Sequence, residues 1–447
     1  MIAVALLLAG MVIAVPAGAP VTSLAALQTA IDNASPGDRI ELADGVYTST
    51  KAITIRKSGI TVAAAHVGKA EIRGSAGFVF GSGVSDVVIE GFTLRHKGRL
   101  SVPVDARKIR ITRNNLEIDV PVIPDDAGGW IEVNGDDVEV DHNTFQNRTN
   151  EGVYLHVGGP PRGIAKRTWA HHNYFFNHRF NGGNGGESVR IGNSDRQQNS
   201  ANTLLEHNLF EKANGDAEAI SVKSSDNVVR YNTIRDSRGF LVLRHGHRTL
   251  VDGNVLFQTG IRFHGNDHKI VNNYVENTRD RAMVFGSGKE ADSGPTSKLH
   301  DRPDRVTVAF NTLLGAGPVV DSDGGPFKPK DCVLANNVIQ GSGGLVSMHS
   351  GSIVKYEGNI IWGGTGGAMP SNGYRSADPR LARDANGLLH LSAGSPAIDA
   401  AVGAYPYVTT DFDPHSRTGK LDVGADEFGG SVSRKALTKA DVGPYAP

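Results

Sequence analysis

LLEHNLF (204–210), VVRYNTI (228–234) and LVDGNVL (250–256) share one design: apolar residues, a polar or turn residue, an asparagine, then apolar residues again. The design recurs in RITRNNL (Asn114), EVDHNTF (Asn143), WAHHNYF (Asn173), IVNNYV (Asn273), VAFNTLL (Asn311), LANNVIQ (Asn337) and YEGNIIW (Asn359). Counted from Asn114 to Asn359, successive asparagines lie 29, 30, 35, 24, 22, 19, 38, 26 and 22 residues apart. The shorter spacings give the unit, and the longer ones read as the same unit with a loop inserted. Runs such as VEV, VVR and TLV alternate apolar and polar residues, and Gly, Asn and Asp punctuate them. A short period made of strands, with no helical pattern, predicts an all-β, single-domain right-handed parallel β-helix whose coils stack at ~4.8 Å. The repeated asparagines then form a ladder, sharing side-chain amide bonds from coil to coil.

The ends of the chain fit this scheme. Residues 24–48, LAALQTAIDNASPGDRIELADGVYT, place Leu27 and Ile31 at helical spacing before a Pro-Gly turn and the strand RIEL, so a short amphipathic helix is expected to cap the first coil. LSAGSPAIDA (391–400) and KLDVGADEFG (420–429) follow the last clear coil and read as a closing segment. No Pro- and Ser-rich linker interrupts the chain, and one domain is expected from residue 21 to 447. Ahead of it, MIAVALLLAGMVIAVPAGA (1–19) has the apolar run and small residues of a secretory signal peptide, with cleavage expected after Ala17. The competing reading, an anchor helix, meets a run shorter than the ~20 residues that span a bilayer. The expected location is secreted or periplasmic in a bacterium, with no membrane association after cleavage. The single cysteine, Cys332, excludes an intramolecular disulfide. With 46 basic and 47 acidic residues the net charge is −1, so no global field marks a nucleic-acid or membrane-surface binder.

Strand alternation then says which residues meet. In AISVK, Ile220 and Val222 point inward, leaving Ser221 and Lys223 outside; in FLVLRH, Leu241 and Leu243 point inward, leaving Val242 and Arg244 outside. Lys223 and Arg244 are 21 residues apart, one coil, and are expected side by side. The same rule turns Tyr154, His156, Arg190, Arg262 and His264 outward, with His245 beside Arg244. Cations on neighbouring strands repel, so such a stripe suits a linear polyanion; the alternative is a merely solvated face. Asn184 in NGGNGGESVRIG (181–192), with Asp216 and Glu218 in the next coil, offers the oxygen ligands that a hard cation such as Ca2+ prefers. Salt bridges to the basic stripe are the other use for these acids. Glu218 and Lys223 differ by five, which demands a corner between them if both face the same side.

β-Elimination in a uronate polymer needs a base to take the proton at C5 and a cation to stabilise the charge that develops on the adjacent carboxylate. Lysine in its neutral form can serve as that base, and neighbouring cations favour that form. NGGNGGESVRIG (181–192), NGDAEAISVKSS (214–225) and GFLVLRHGHRTLVDGN (239–254) resemble polysaccharide lyase family six, the alginate lyases and chondroitinase B type enzymes, over about residues 24–360. The resemblance implies Lys223 as Brønsted base, Arg244 as Brønsted acid, and Asn184, Asp216 and Glu218 as calcium ligands; Asp216 stands where glutamate is expected more often. A guanidinium gives up its proton poorly, so charge stabilisation by Arg244 and proton donation by His245 or a held water are the complementary expectation. Tyr154, His156, Arg190, Arg262 and His264 are the expected substrate-binding residues and alginate the expected substrate. Chondroitin or dermatan sulfate cleavage, C5-epimerisation, glycoside hydrolysis by paired acids and non-catalytic polysaccharide binding are the competing functions.

Overall fold

The chain winds into coils that each contribute one strand to up to three parallel sheets. This computed structural model describes residues 18–118, 128–431 and 433–447; the signal peptide expected over residues 1–17 lies outside the described residues. The first sheet has 13 strands and the second 14, while the third has nine and spans the middle of the stack. Within each sheet the neighbour is the strand one coil away, so Val229 pairs with Leu205 on one side and Val251 on the other. The interior is filled by inward-facing aliphatic residues and by aromatic rings stacked from coil to coil. Phe145, Phe175 and Phe210 are one such column, with centroids 4.8 and 4.7 Å apart.

Each of the ten repeat asparagines sits between the first sheet and the second, and the residue before it is always left-handed, with φ from 51 to 64°. Asn, His and Gly occupy most of those preceding positions, as that conformation favours. Arg113, Tyr231 and Phe310 are the exceptions. The turn aims the asparagine inward, where it makes the expected ladder. The backbone N–H and Nδ2 of Asn208 both donate to Asn232 Oδ1 at 3.0 Å, and Asn232 repeats the pattern on Asn254. The series runs unbroken from Asn114 to Asn359. In a dry interior each amide would otherwise be stranded, so the ladder fixes the register of the stack.

The expected cap is present. The helix Leu24–Asn33 buries Leu27 and Ile31, and Ser23 caps its start by accepting from Ala26 N. Gln28 donates to Thr54 O at 2.9 Å and accepts from Thr54 N at 2.8 Å, so its amide stands in for the strand missing from that edge.

The far end departs from expectation. Residues 391–429 do not simply close the last coil; the chain turns there and runs back along the outer corner beside the ladder. Val402 exchanges two bonds with Asn336, Ala425 N donates to Thr312 Oγ1, and Asn272 Nδ2 donates to Thr410 O. Further on, Leu437 N donates to Thr233 Oγ1, Gly443 N to His172 O, and Arg113 to Pro444 O and Ala446 O. The segment therefore straps together coils whose ladder asparagines run from Asn337 back to Asn114.

Candidate active site

The third sheet carries the candidate site on its outer face. Its pairing places Glu132, His156, Arg190, Ser221, Val242 and Arg262 in one cross-coil row. Lys223 ends the strand Glu218–Lys223 two positions beyond Ser221. The expectation that Arg244 stands directly beside Lys223 is corrected by a bulge: after Val222 pairs with Leu243 the register shifts, and Lys223 pairs with His245. Arg244 is the extra residue, and its guanidinium reaches back to Glu218 Oε1 at 3.2 Å. A second shift between Glu218 and Ile220 resets the parity of Glu218 against Lys223, within a continuous strand where a corner was expected.

The basic stripe is a mesh of ion pairs. Lys223 Nζ lies 3.3 Å from Glu187 Oε1, and Arg190 holds the same carboxylate with Nε and a terminal nitrogen at 3.0 and 2.6 Å. His156 Nδ1 meets Glu132 Oε1 at 2.6 Å, and Arg262 meets Asp323 at 2.6 Å. Burial alone would push the Glu187 carboxyl up; Arg190 and then Lys223 outweigh it and hold it down at about 2. Arg190 is 6% exposed and bound to Glu187 through two nitrogens, so it positions Glu187 rather than reaching outward as expected. Tyr154 is also corrected: it is wholly buried against Trp130, Phe145 and Phe175. Its hydroxyl accepts from Arg148 N at 3.0 Å and donates to Phe176 O at 2.8 Å, which removes it from any surface that a polymer can touch. It stands where the third sheet begins, and there the ring turns into the corner to fill it.

Three imidazoles gather beside Lys223 and Arg244. His300 packs on His245 and His264 with ring centroids 5.0 and 4.6 Å away. His300 belongs to the loop inserted between the coils of Asn273 and Asn311, which Gln197 and Gln198 hold through Ser297 O and Ser293 O. Burial first, then His300, Lys223 and Arg244, pushes His245 down to about 2. His264 is driven well down by burial and by His300, and His300 falls to about 3 by burial and Arg244. These shifts favour the neutral form of all three rings, against the imidazolium form of the expected proton donor His245. Sequence reasoning missed His300 and the pairing role of Glu187. The 38-residue spacing announced an inserted loop, and no periodic signal said what it would cover.

The acids expected to hold calcium lie on the neighbouring bend. Gly215 and Gly186 come so close that a Cβ on Gly215 would lie 1.8 Å from Gly186 O. That approach lets Asp216 accept from Gly186 N at 2.8 Å while its other oxygen accepts from Glu218 N at 2.6 Å. Burial, then Glu187, raises the Asp216 carboxyl to about 6, with Glu218 adding to the effect. Glu218 Oε2 is buried and has no hydrogen-bond partner, and Asn184 is exposed on the bend two residues before Gly186. An orphaned carboxylate oxygen beside a crowded, protonation-prone aspartate is a donor set that a hard cation fits.

The chondroitinase B family model matches residues 21–287, more than half of the chain. Among solved structures, the PL6 family alginate lyase AlyGC is similar at 25% identity with a TM-score of 0.74, over 88% of this chain and 59% of that one. A mutant of AlyGC matches at 26% identity with the same TM-score of 0.74, over 84% of this chain and 55% of that one. The chain thus spans less than two thirds of those enzymes. A mannuronic acid specific polysaccharide family 6 lyase from human gut microbiota shares the fold at 24% identity and a TM-score of 0.67, over 79% of this chain and 89% of that one. No curated protein matches.

Proposed function

Because the chain belongs to the chondroitinase B family, and with it to polysaccharide lyase family six, we propose that the outer face of its third sheet cleaves alginate by β-elimination. The observation that carries this reading is Lys223, pinned by Glu187 and flanked by Arg244 and the neutral His245, His264 and His300. In its neutral form Lys223 takes the C5 proton of a uronate residue. The electron pair left on C5 forms the C4–C5 double bond as the C4–O bond breaks, the leaving oxygen is protonated by a water held at the Arg244 guanidinium, and the hydroxide so formed takes the proton from the Lys223 ammonium, which restores the base. Arg244 keeps its own proton and stabilises developing negative charge. Asn184, Asp216 and Glu218 would hold calcium, which when bound neutralises the substrate carboxylate and so eases loss of the C5 proton. Arg262, part-exposed and paired with Asp323, borders the polymer, while His156 and His264, expected as contacts, are buried at 6% and 1% exposure and stand behind that surface.

Alginate is supported by the likeness to AlyGC, a PL6 family alginate lyase. The matching family's own name favours dermatan or chondroitin sulfate as the second reading. Incubation with each polymer, followed by ultraviolet absorbance of the new conjugated double bond, separates the two. Hydrolysis, epimerisation and passive binding leave no such chromophore. Export by residues 1–17 belongs to the same proposal, and N-terminal sequencing of the protein recovered from the periplasm or medium tests it.

A further inference from the structure

The hairpin that begins the C-terminal return carries a charged joint that the chemistry of the third sheet does not use. Its strands Leu381–Arg383 and Leu389–Leu391 pair antiparallel, with Ala382 opposite His390. The hairpin rests on the second sheet, where Leu389 N donates to the Tyr274 hydroxyl at 3.3 Å and Arg383 meets Glu276 Oε1 at 2.6 Å. His390 is buried, its ring 5.2 Å from that of Phe412. Its Nδ1 lies 3.2 Å from Asp426 Oδ1 and 3.3 Å from Asp413 Oδ2, and its Nε2 lies 3.4 Å from Asp384 Oδ2.

Three carboxylates thus face one imidazole, Asp384 from the hairpin turn and Asp413 and Asp426 from the closing segment. A neutral ring has a single N–H. With that proton on Nδ1, bonded to Asp426, the lone pair on Nε2 points at Asp384 Oδ2, a buried oxygen with no hydrogen-bond donor. With the proton on Nε2, the lone pair on Nδ1 faces two carboxylates at once. Only the imidazolium serves both sides. The remaining oxygens accept from backbone N–H groups: Leu388 N on Asp384, Leu391 N on Asp426, and Ser433 N and Arg434 N on Asp413. Among the described residues no other cationic side chain pairs with these three acids. The Arg434 guanidinium bonds to Phe412 O and lies over Tyr231, and Asp411 next to Phe412 is occupied by the N–H groups of Asp413, His415 and Glu427.

We propose that protonated His390 is a pH-sensitive joint that fastens the closing segment, residues 391–429, to the hairpin, and that the joint loosens when the ring loses its proton. The segment's contacts with the coils, Val402 with Asn336 and Ala425 with Thr312, follow this joint along the chain, so it is the first anchor of the strap. Burial opposes the charge on His390, but the bond to Asp426 and then the charges of Asp426, Asp413 and Asp384 raise its value above the ordinary 6.5. A folded value above the unfolded one gives a contribution fully present below pH 6.5 and lost as the pH rises through the folded value.

The test uses the full chain and needs no polysaccharide. Titration of the His390 ring by NMR, its signal assigned by its absence from His390→Gln, is expected to give a midpoint above 6.5. Asp384→Asn, on the half-buried turn, should bring that midpoint down, and its shifted signal supplies the assignment if His390→Gln does not fold. Cleavage within residues 391–429 by a nonspecific protease, scaled at each pH to an unfolded peptide, should be slow in the parent at pH 6 and accelerate towards pH 9. The acceleration is ~10-fold for each pH unit that separates the His390 midpoint from 6.5, because cleavage follows the population of the open form. His390→Gln is open to cleavage at both pH values. A His390 midpoint at or below 6.5, or a parent-to-variant cleavage ratio that is the same at pH 6 and pH 9, overturns the joint.

Discussion

Lys223 Nζ and Glu187 Oε1 lie 3.3 Å apart, with Glu187 1% exposed and held from its other side by Arg190. One carboxylate therefore orients the base and ties it to a rigid strand. Glu187→Gln leaves Arg190 and Lys223 without their shared anion, and an expected loss of ~3 kcal/mol in unfolding free energy, read by urea denaturation, follows from breaking a buried ion pair. The carboxyl sits at about 2, below its ordinary 4.5, so its contribution is present above pH 4.5 and disappears as pH falls through about 2. The variant and the parent should converge in stability only at that acid extreme.

Asp216 has the opposite sign. Raised from 3.8 to about 6, it favours the folded state fully below pH 3.8, and that contribution is lost as pH rises through about 6. A cation bound there competes with the same proton. Calcium affinity, measured by calorimetry, is expected to fall as pH drops below about 6, and Asp216→Asn to flatten that dependence while weakening binding. A calcium affinity independent of pH between 5 and 7 would remove Asp216 from the ligand set.

His245 is held neutral, with its ordinary 6.5 depressed to about 2. The pH–rate profile of His245→Asn should therefore keep the shape of the parent's, with a lower plateau from lost packing against His300. Disappearance of a limb near pH 6–7 in the variant would return His245 to the role of proton donor.

Arg244 reaches Glu218 from a bulge. Arg244→Ala is expected to lower kcat by ~100-fold or more, as loss of a charge-stabilising group does. Arg244→Lys should recover little, because an ammonium lacks the planar fork that serves Glu218 and substrate together. Near-complete recovery by lysine would show that charge alone suffices.

Each ladder asparagine supports two neighbours. Asn232→Ala strands the backbone N–H of Asn208 and removes the side-chain bond to Leu205 O, while Asn208 Nδ2 keeps Ala170 O and Glu206 O. At ~1–3 kcal/mol for a buried group left unpaired, a loss of at least ~1 kcal/mol is expected by chemical denaturation.

The ladder was legible because a repeat writes the same residues again and again. Leu27, Ile31 and the Pro-Gly turn likewise announced the cap, since helix periodicity is local. What escaped the sequence was geometry that breaks alternation without leaving a mark on it. FLVLRH alternates whether or not Arg244 is bulged, so the pairing of Lys223 with His245 is invisible in the letters. EGVYLHV alternates equally well, yet Tyr154 turns inward because it fills the corner where the sheet begins. The C-terminal strap and His300 meet the coils through one-off contacts set by tertiary packing, to which no period corresponds.

The central claim is that Lys223 removes the C5 proton. Its most direct measurement is ultraviolet absorbance during incubation of alginate with the parent chain and with Lys223→Ala, both shown to be folded by circular dichroism. The account predicts a steady rise for the parent and a rate lower by ~100–10,000-fold for the variant, the range that a general base contributes. A folded Lys223→Ala that forms the conjugated product at a rate near the parent's would contradict it.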